Sequence, residues 1–130
     1  MNADVVVKKS KIHGQGAFAN RSFRKGEIVL HWIGAKILTL AEVKKLSRKE
    51  QTYVSAFTRG RYILYAPPAR FINHSCLPNT HIDRRWMGDR AIRTICKGEE
   101  ITSDYGYEMA FGEDVRCRCG HKNCRRMMKI

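Results

Sequence analysis

The sequence predicts a mostly β domain with one short helix. Three observations carry that prediction. Many short runs alternate apolar with polar residues, glycine and proline punctuate those runs, and a single stretch repeats its apolar residues at helical spacing. In chain order, Val5 to Lys8 reads as a strand, followed by the polar, glycine-punctuated stretch S-K-I-H-G-Q-G-A-F. Glu27 to Ile33 alternates well enough for a second strand after a turn at Lys25-Gly26. The helix is expected from Leu40 to about Lys49. Thr39 caps it with Glu42 three residues on in a capping box, and Leu40, Val43 and Leu46 share one face. Further strands are expected at Thr52–Phe57, Arg61–Ala66, Thr80–Asp83, Arg90–Ile95 and Glu100–Ser103. Pro67 and Pro68 set off A-R-F-I-N-H-S-C as a turn or a single helical turn. No internal repeat, low-complexity tract or linker interrupts the 130 residues, a length that suits one domain with a modest core.

Composition narrows the class. Hydrophobic residues at 43% and charged residues at 28% are ordinary for a soluble globular protein. No stretch approaches the ~18–20 apolar residues of a membrane helix, so no membrane partner is expected. The start, M-N-A-D-V-V-V-K-K, lacks the charged head and long apolar run of a secretory signal. The expected address is therefore reducing and intracellular: the nucleus if the source is eukaryotic or the protein is host-targeted, the cytoplasm otherwise. In that setting clustered cysteines mean metal more often than disulfides. The net charge of +13 favours nucleic acid, nucleoprotein or acidic surfaces without choosing among them. A merely soluble basic surface explains it as simply. The charge is densest at the C-terminus, where no acid follows Asp114 while Arg116, Arg118, Lys122, Arg125, Arg126 and Lys129 surround the cysteines.

That C-terminal run is C-R-C-G-H-K-N-C, with Cys117, Cys119 and Cys124. Thiolate zinc sites use such close spacings, and a structural site takes four protein ligands. His121, Cys96 and Cys76 are each candidates for the fourth place. Five cysteines suit four ligands and one bystander. Upstream, H-G-Q-G from His13 to Gly16 lets the backbone pass close to a ligand, with exposed N–H groups able to hold a carboxylate, although glycine pairs more often only make turns. R-F-I-N-H-S-C-L-P-N, Arg70 to Asn79, concentrates donors and acceptors that can hold a ligand or lock crossing segments together. Its adjacent His74 and Cys76 make a poor nucleophile–base pair, because such pairs normally come from distant segments. G-E-E-I-T-S-D-Y-G-Y, Gly98 to Tyr107, runs a strand into Tyr105, a positioned hydroxyl or simply an aromatic at a strand end.

Taken in this order, the glycine segment, R-F-I-N-H-S-C-x-P-N, G-E-E-I-T-x-D-Y-G and C-x-C-x4-C resemble the SET-domain protein lysine methyltransferases, from about Val5 to Cys124. The resemblance implies a SET-domain fold, small β-sheets around a pseudoknot, over 1–112, with a zinc-stapled post-SET tail over 113–130. It implies S-adenosylmethionine as methyl donor, with His13, Gly14, Gln15, Tyr53, Asn73 and His74 at the cofactor. Tyr105 matches the catalytic tyrosine. The family's zinc cluster takes its fourth ligand from the cysteine of N-H-S-C, so Cys76 would join Cys117, Cys119 and Cys124 on a structural zinc. His121 is then the fallback ligand, and Cys96 a bystander, at most a small buried apolar side chain.

The residue types suit that chemistry. Methyl transfer is an in-line displacement by a neutral amine, and lysine's pKa of about 10.4 in water has to be overcome. A narrow apolar channel beside a sulfonium cation disfavours the ammonium, so alignment and desolvation carry the reaction. Ser103, two residues before Tyr105, stands where the family often has an aromatic that limits the number of methyl groups. Its small side chain predicts room for di- or trimethylation. The cysteine-rich pre-SET region of some relatives is absent and the insert between Ile33 and Arg70 is short, so little surface is dedicated to choosing a substrate. The acceptor is expected to be a lysine in a protein, a histone or nucleosome among the candidates, and the basic surface allows non-specific nucleic-acid contact. A core this small also leaves a homodimer open. Two other readings compete: a zinc-stapled basic nucleic-acid-binding module without catalysis, and a SET fold that binds but no longer transfers methyl groups. The first leaves N-H-S-C-x-P-N and D-Y-G unexplained, and intact Asn73, His74 and Tyr105 argue against the second.

Overall fold

Strands held by partners far away in the sequence organise the structure, a computed structural model that describes residues 4–104 and the strand residues 115–116 and 127–128. The elements run β1 (Val5–Lys9), β2 (Gln15–Ala19), β3 (Ile28–His31), β4 (Lys36–Thr39), α1 (Leu40–Lys44), α2 (Arg48–Gln51), β5 (Val54–Thr58) and β6 (Arg61–Leu64). After a 3-10 turn at Ala69–Phe71 come β7 (Asn73–His74), β8 (Thr80–Asp83), β9 (Gly88–Ala91), β10 (Glu100–Ser103), β11 (Val115–Arg116) and β12 (Met127–Met128). They form sheets in the orders β1-β2-β10-β7, β3-β9-β8 and β4-β6-β5, with a separate β11-β12 ladder. The mostly β expectation holds.

Several boundaries differ from the sequence reading, each for a local or tertiary reason. The single helix is two short ones. Thr39 and Glu42 do form the capping box of α1, but Ser47 caps a second start by accepting from the Glu50 N–H at 3.2 Å. Strands β2 and β4 were not foreseen. Both are short; β2 is paired by its neighbour β1 on one side and by the distant β10 on the other, and β4 is held by β6. The strand expected at Arg90–Ile95 is shifted back to Gly88–Ala91, and Ile95 makes only an isolated bridge to Phe23. The proline-bounded segment contains the expected single turn at Ala69–Phe71, but its Asn73–His74 form β7, a strand that the sequence did not suggest and that β10 holds in place.

The core collects Ala17 and Ala19 from β2, Val29 and Leu30 from β3, Ile63 from β6, Ala91 from β9 and Ile101 from β10, closed by Phe23, Trp32, Ile72 and Ile95. Full burial of side chains such as Leu30 and Ile101 stabilises by about 1.5–3 kcal/mol each.

β10 decides how the motifs meet. It pairs antiparallel with β2, Ile101 opposite Ala17, and parallel with β7, Thr102 opposite Asn73 and Ser103 opposite His74. A parallel pair requires a crossover, here the β8–β9 hairpin. On that side Asn79 substitutes for a strand. Its Nδ2 donates to the Glu100 carbonyl at 2.8 Å, and its Oδ1 accepts from the Thr102 N–H at 2.9 Å. A side-chain amide offers the same donor and acceptor as a peptide. Asn79 is fully buried, which makes that satisfaction obligatory.

Candidate active site

The glycine segment is pinned from two sides. Gly14 sits at φ +45°, a left-handed conformation that suits glycine. Gly16 is required for a different reason: a Cβ there would stand 2.5 Å from Glu100 Oε2 and 2.9 Å from Ser10 Cβ. Glu100 takes up that space because its carboxylate accepts from Ser10 Oγ at 2.7 and 2.9 Å and from Asn73 Nδ2 at 2.9 Å. The same Asn73 amide donates to the carbonyls of His13 at 2.9 Å and Gln15 at 3.0 Å. The structure thus brings His13, Gly14, Gln15 and Asn73 into one unit. The Asn73 side chain is buried and braces the segment, while His13, Gly14 and Gln15 remain exposed.

His74 lies one residue further along β7, with its ring buried. One nitrogen, Nε2, is 3.3 Å from the Cys76 sulfur, and Nδ1 is 3.7 Å from Asp104 Oδ1. The residue predicted at the cofactor therefore touches the cysteine predicted at the metal. Cys76 is partly buried, whereas Cys96 is exposed, which corrects the expectation that Cys96 is a small buried side chain. Its neighbours Lys97 and Gly98 begin an exposed turn, which leaves it no core to join. Tyr105, Cys117, Cys119, His121 and Cys124 lie outside the described residues. Among the described residues no group of three or more His, Cys, Asp or Glu side chains is placed to hold a metal. Nor is any described helix long and apolar enough to cross a membrane.

Beside this unit is a cleft lined by Tyr53, Ser55, Tyr65, Arg70, Asp89 and Ser103, among others. Tyr53, singled out from the sequence, forms one wall. The Arg70 guanidinium lies 4.5 Å from the centre of its ring. Arg70 is itself fixed by the Tyr65 carbonyl at 2.9 Å and the Glu50 carboxylate at 3.0 Å. Ser103 reaches the cleft from β10. Trp32 and Tyr65 meet edge to face, 5.2 Å between centres and 74° between planes. The Trp32 indole N–H donates to Asp89 Oδ2 at 2.9 Å. Burial pushes the Asp89 carboxyl up to about 7, against the opposing effect of the indole hydrogen bond. Trp32, Tyr65 and Asp89 were not identified from the sequence. A lone acid in the strand G-D-R-A carries no signal that it faces inward, since acids are mostly exposed.

The comparisons agree with this architecture. The family model described as "SET domain" matches residues 14–106. The human protein named Histone-lysine N-methyltransferase 2B is 32% identical over 143 residues, covering 95% of this chain and 5% of that protein. A protein of Debaryomyces hansenii named Histone-lysine N-methyltransferase, H3 lysine-36 specific, is 30% identical over 146 residues, covering 97% of this chain and 19% of that protein. Among solved structures, KRYPTONITE in complex with mCHG DNA and SAH superimposes with a TM-score of 0.71 at 26% identity, over 95% of this chain and 28% of that one. The chain thus spans a small part of each relative. A family match that includes the glycine segment, N-H-S-C and β10, on a fold that joins those segments in one sheet, shows that this chain belongs to the SET-domain family.

Proposed function

We propose that the chain transfers methyl groups from S-adenosylmethionine to the ε-amine of a lysine in a protein substrate. The observation that carries this reading is the union of the exposed glycine segment, braced by Asn73, with a cleft walled by Tyr53 and reached by Ser103 through the β7–β10 pair. The methyl donor, when bound, supplies an electrophilic methyl group on a sulfonium. The backbone of His13, Gly14 and Gln15 and the β7 segment at Asn73 and His74 would form its seat. The cleft would admit the lysine in line with the methyl group and exclude water, so that orientation and desolvation lower the barrier. Tyr105 follows Ser103 and Asp104 directly, and is assigned the hydroxyl that acts at the reacting centre.

Cys76, Cys117, Cys119 and Cys124 would hold a structural zinc. Two observations support the fit. The Cys76 sulfur faces the His74 ring, the kind of neighbour that supports a metal-bound thiolate. The β11–β12 ladder pairs Val115–Arg116 with Met127–Met128, the residues that flank C-x-C-x4-C in the sequence. Residues 1–112 are then the catalytic domain and 113–130 its post-SET tail. Four thiolates leave no open position for a catalytic water, so the metal's part is to dock the tail. The names of the relatives favour a histone acceptor and hence the nucleus, and the basic surface suits nucleosomal DNA. A homodimer is compatible with the small core.

S-adenosylmethionine at a hundred times its dissociation constant is expected to stabilise the zinc-loaded protein by about 2.7 kcal/mol, read as a rise in melting temperature. Labelled methyl should then appear on a lysine of core histones or of a cell lysate. No shift and no label, with tight salt-dependent binding to nucleic acid instead, would establish the non-catalytic zinc module. Because Ser103 leaves space at the cleft, mass spectrometry of the modified lysine should show more than one methyl group. A product that stays monomethylated at long times would refute the role given to Ser103.

A further inference from the structure

We infer that Asp89 receives the N–H groups of the acceptor lysine and thereby sets how many methyl groups the cleft delivers. This rests on the reading of the cleft as the acceptor site. Asp89 is 3% exposed on β9 and lines the same cleft as Ser103, Tyr53 and Tyr65. One carboxyl oxygen, Oδ2, accepts from Trp32, and no described residue donates to the other. Nor does any described cation pair with it. The arginine on the same strand, Arg90, is engaged with Asp83 at 2.9 Å. The remaining ionisable groups of the cleft are Tyr53, Tyr65 and Arg70, and Arg70 is committed to Glu50. A buried carboxyl without a counter-charge is costly unless something supplies one. The ammonium of an incoming lysine does so.

The chemistry balances. The lysine ammonium gives one proton to the Asp89 carboxylate, leaving a neutral amine and a neutral acid. The nitrogen lone pair forms the N–C bond as the methyl carbon's bond to sulfur breaks, and the positive charge passes from sulfur to nitrogen. The acid then returns its proton to solvent. A base whose ionisation lies near working pH suits such a step, and the cleft's own desolvation lowers the amine toward the same range.

The number of N–H groups gives the specificity. A neutral unmethylated amine has two, a monomethylated amine has one, and a dimethylated amine has none. Asp89 can orient the nucleophile for the first two transfers and not for the third. Ser103 provides the space for added methyl groups, and Asp89, which can take the last proton of a dimethylammonium but finds no N–H on the amine left behind to orient, makes the third transfer the slow one.

The test uses the zinc-loaded full chain with S-adenosylmethionine and recombinant core histones, assayed from about pH 6 to 9 with mass spectrometry of the product. Wild type should accumulate dimethyl-lysine, and its kcat/KM should rise through about pH 7 as Asp89 ionises. Asp89→Asn keeps an acceptor for Trp32 and should lose that rise. Asp89→Leu should slow the first transfer about tenfold, the worth of one hydrogen bond to an ionised group, and raise the ratio of trimethyl to dimethyl product about as much. Trimethyl-lysine as the main wild-type product, or variants with the wild-type pH profile and product ratio, would overturn the inference. Should neither variant fold, the wild-type end product and pH profile decide it. Wild type inactive on histones and on lysate would overturn the methyltransferase reading itself, a result distinct from unchanged variants of an active enzyme.

Discussion

Tyr105→Phe is expected to slow methyl transfer by roughly a hundredfold to a thousandfold, the cost of removing one positioned hydrogen-bonding group from a reacting centre. The ring is retained, so the melting temperature and its rise with S-adenosylmethionine should change little. The loss should fall on kcat more than on KM, because the hydroxyl is assigned to the transition state and not to holding the substrate. A phenol suits that place because it is neutral at pH 7 and both donates and accepts. In the sequence Tyr105 comes two residues after Ser103, the last residue of β10, which lines the cleft. Turnover close to wild type in a folded Tyr105→Phe protein would remove this tyrosine from the mechanism.

Cys76→Ser is expected to release zinc as readily as Cys124→Ser. A closed structural site loses most of its affinity with any one thiolate, and the folding free energy that it supplies goes with it. Metal content by mass spectrometry under native conditions reads this without an activity assay. Cys96→Ser is the control and should keep its metal, since that thiol is exposed on a turn. If Cys124→Ser loses zinc while Cys76→Ser keeps it, the fourth ligand is elsewhere, and His121→Ala becomes the next variant to measure. The Cys76 result also bears on the cofactor seat. The His74 ring lies 3.3 Å from the Cys76 sulfur, so loss of metal should weaken cofactor binding as well.

Much of the fold was legible because its punctuation is local. The Thr39–Glu42 capping box, the turn at Lys25-Gly26 and the strand Thr80–Asp83, in a hairpin with β9, depend on neighbours in sequence, and the structure has them where the residues place them. The second helix start at Ser47 was equally local, but S-R-K-E sits within a run whose apolar spacing suggested continuity. β2 and β4 were illegible for another reason. Neither has strong alternation; β2 is paired along its length by β1 and flanked by the remote β10, and β4 is paired by β6, more than twenty residues on.

The candidate site divides in the same way. Motif order and residue type identified His13, Gly14, Gln15, Tyr53, Asn73, His74, Cys76 and Tyr105 as residues to examine, and the cysteine spacing pointed to a metal. What those side chains touch came only from the fold. Asn73 reaches His13 across 60 positions of sequence, and Asn79 reaches the Glu100 carbonyl across 21. No pattern in the residues says which polar groups will be spent on holding strands together. Asp89 is the sharpest case. In the sequence it is an unremarked acid, and it becomes a buried carboxyl only because β9 lies between β3 and β8 and Trp32 presents its N–H from the end of β3. The sequence by itself therefore determined the family, the turns and the chemistry within reach. The tertiary structure decided burial and partnership, because both depend on which distant segments pack together and exclude water from the groups between them.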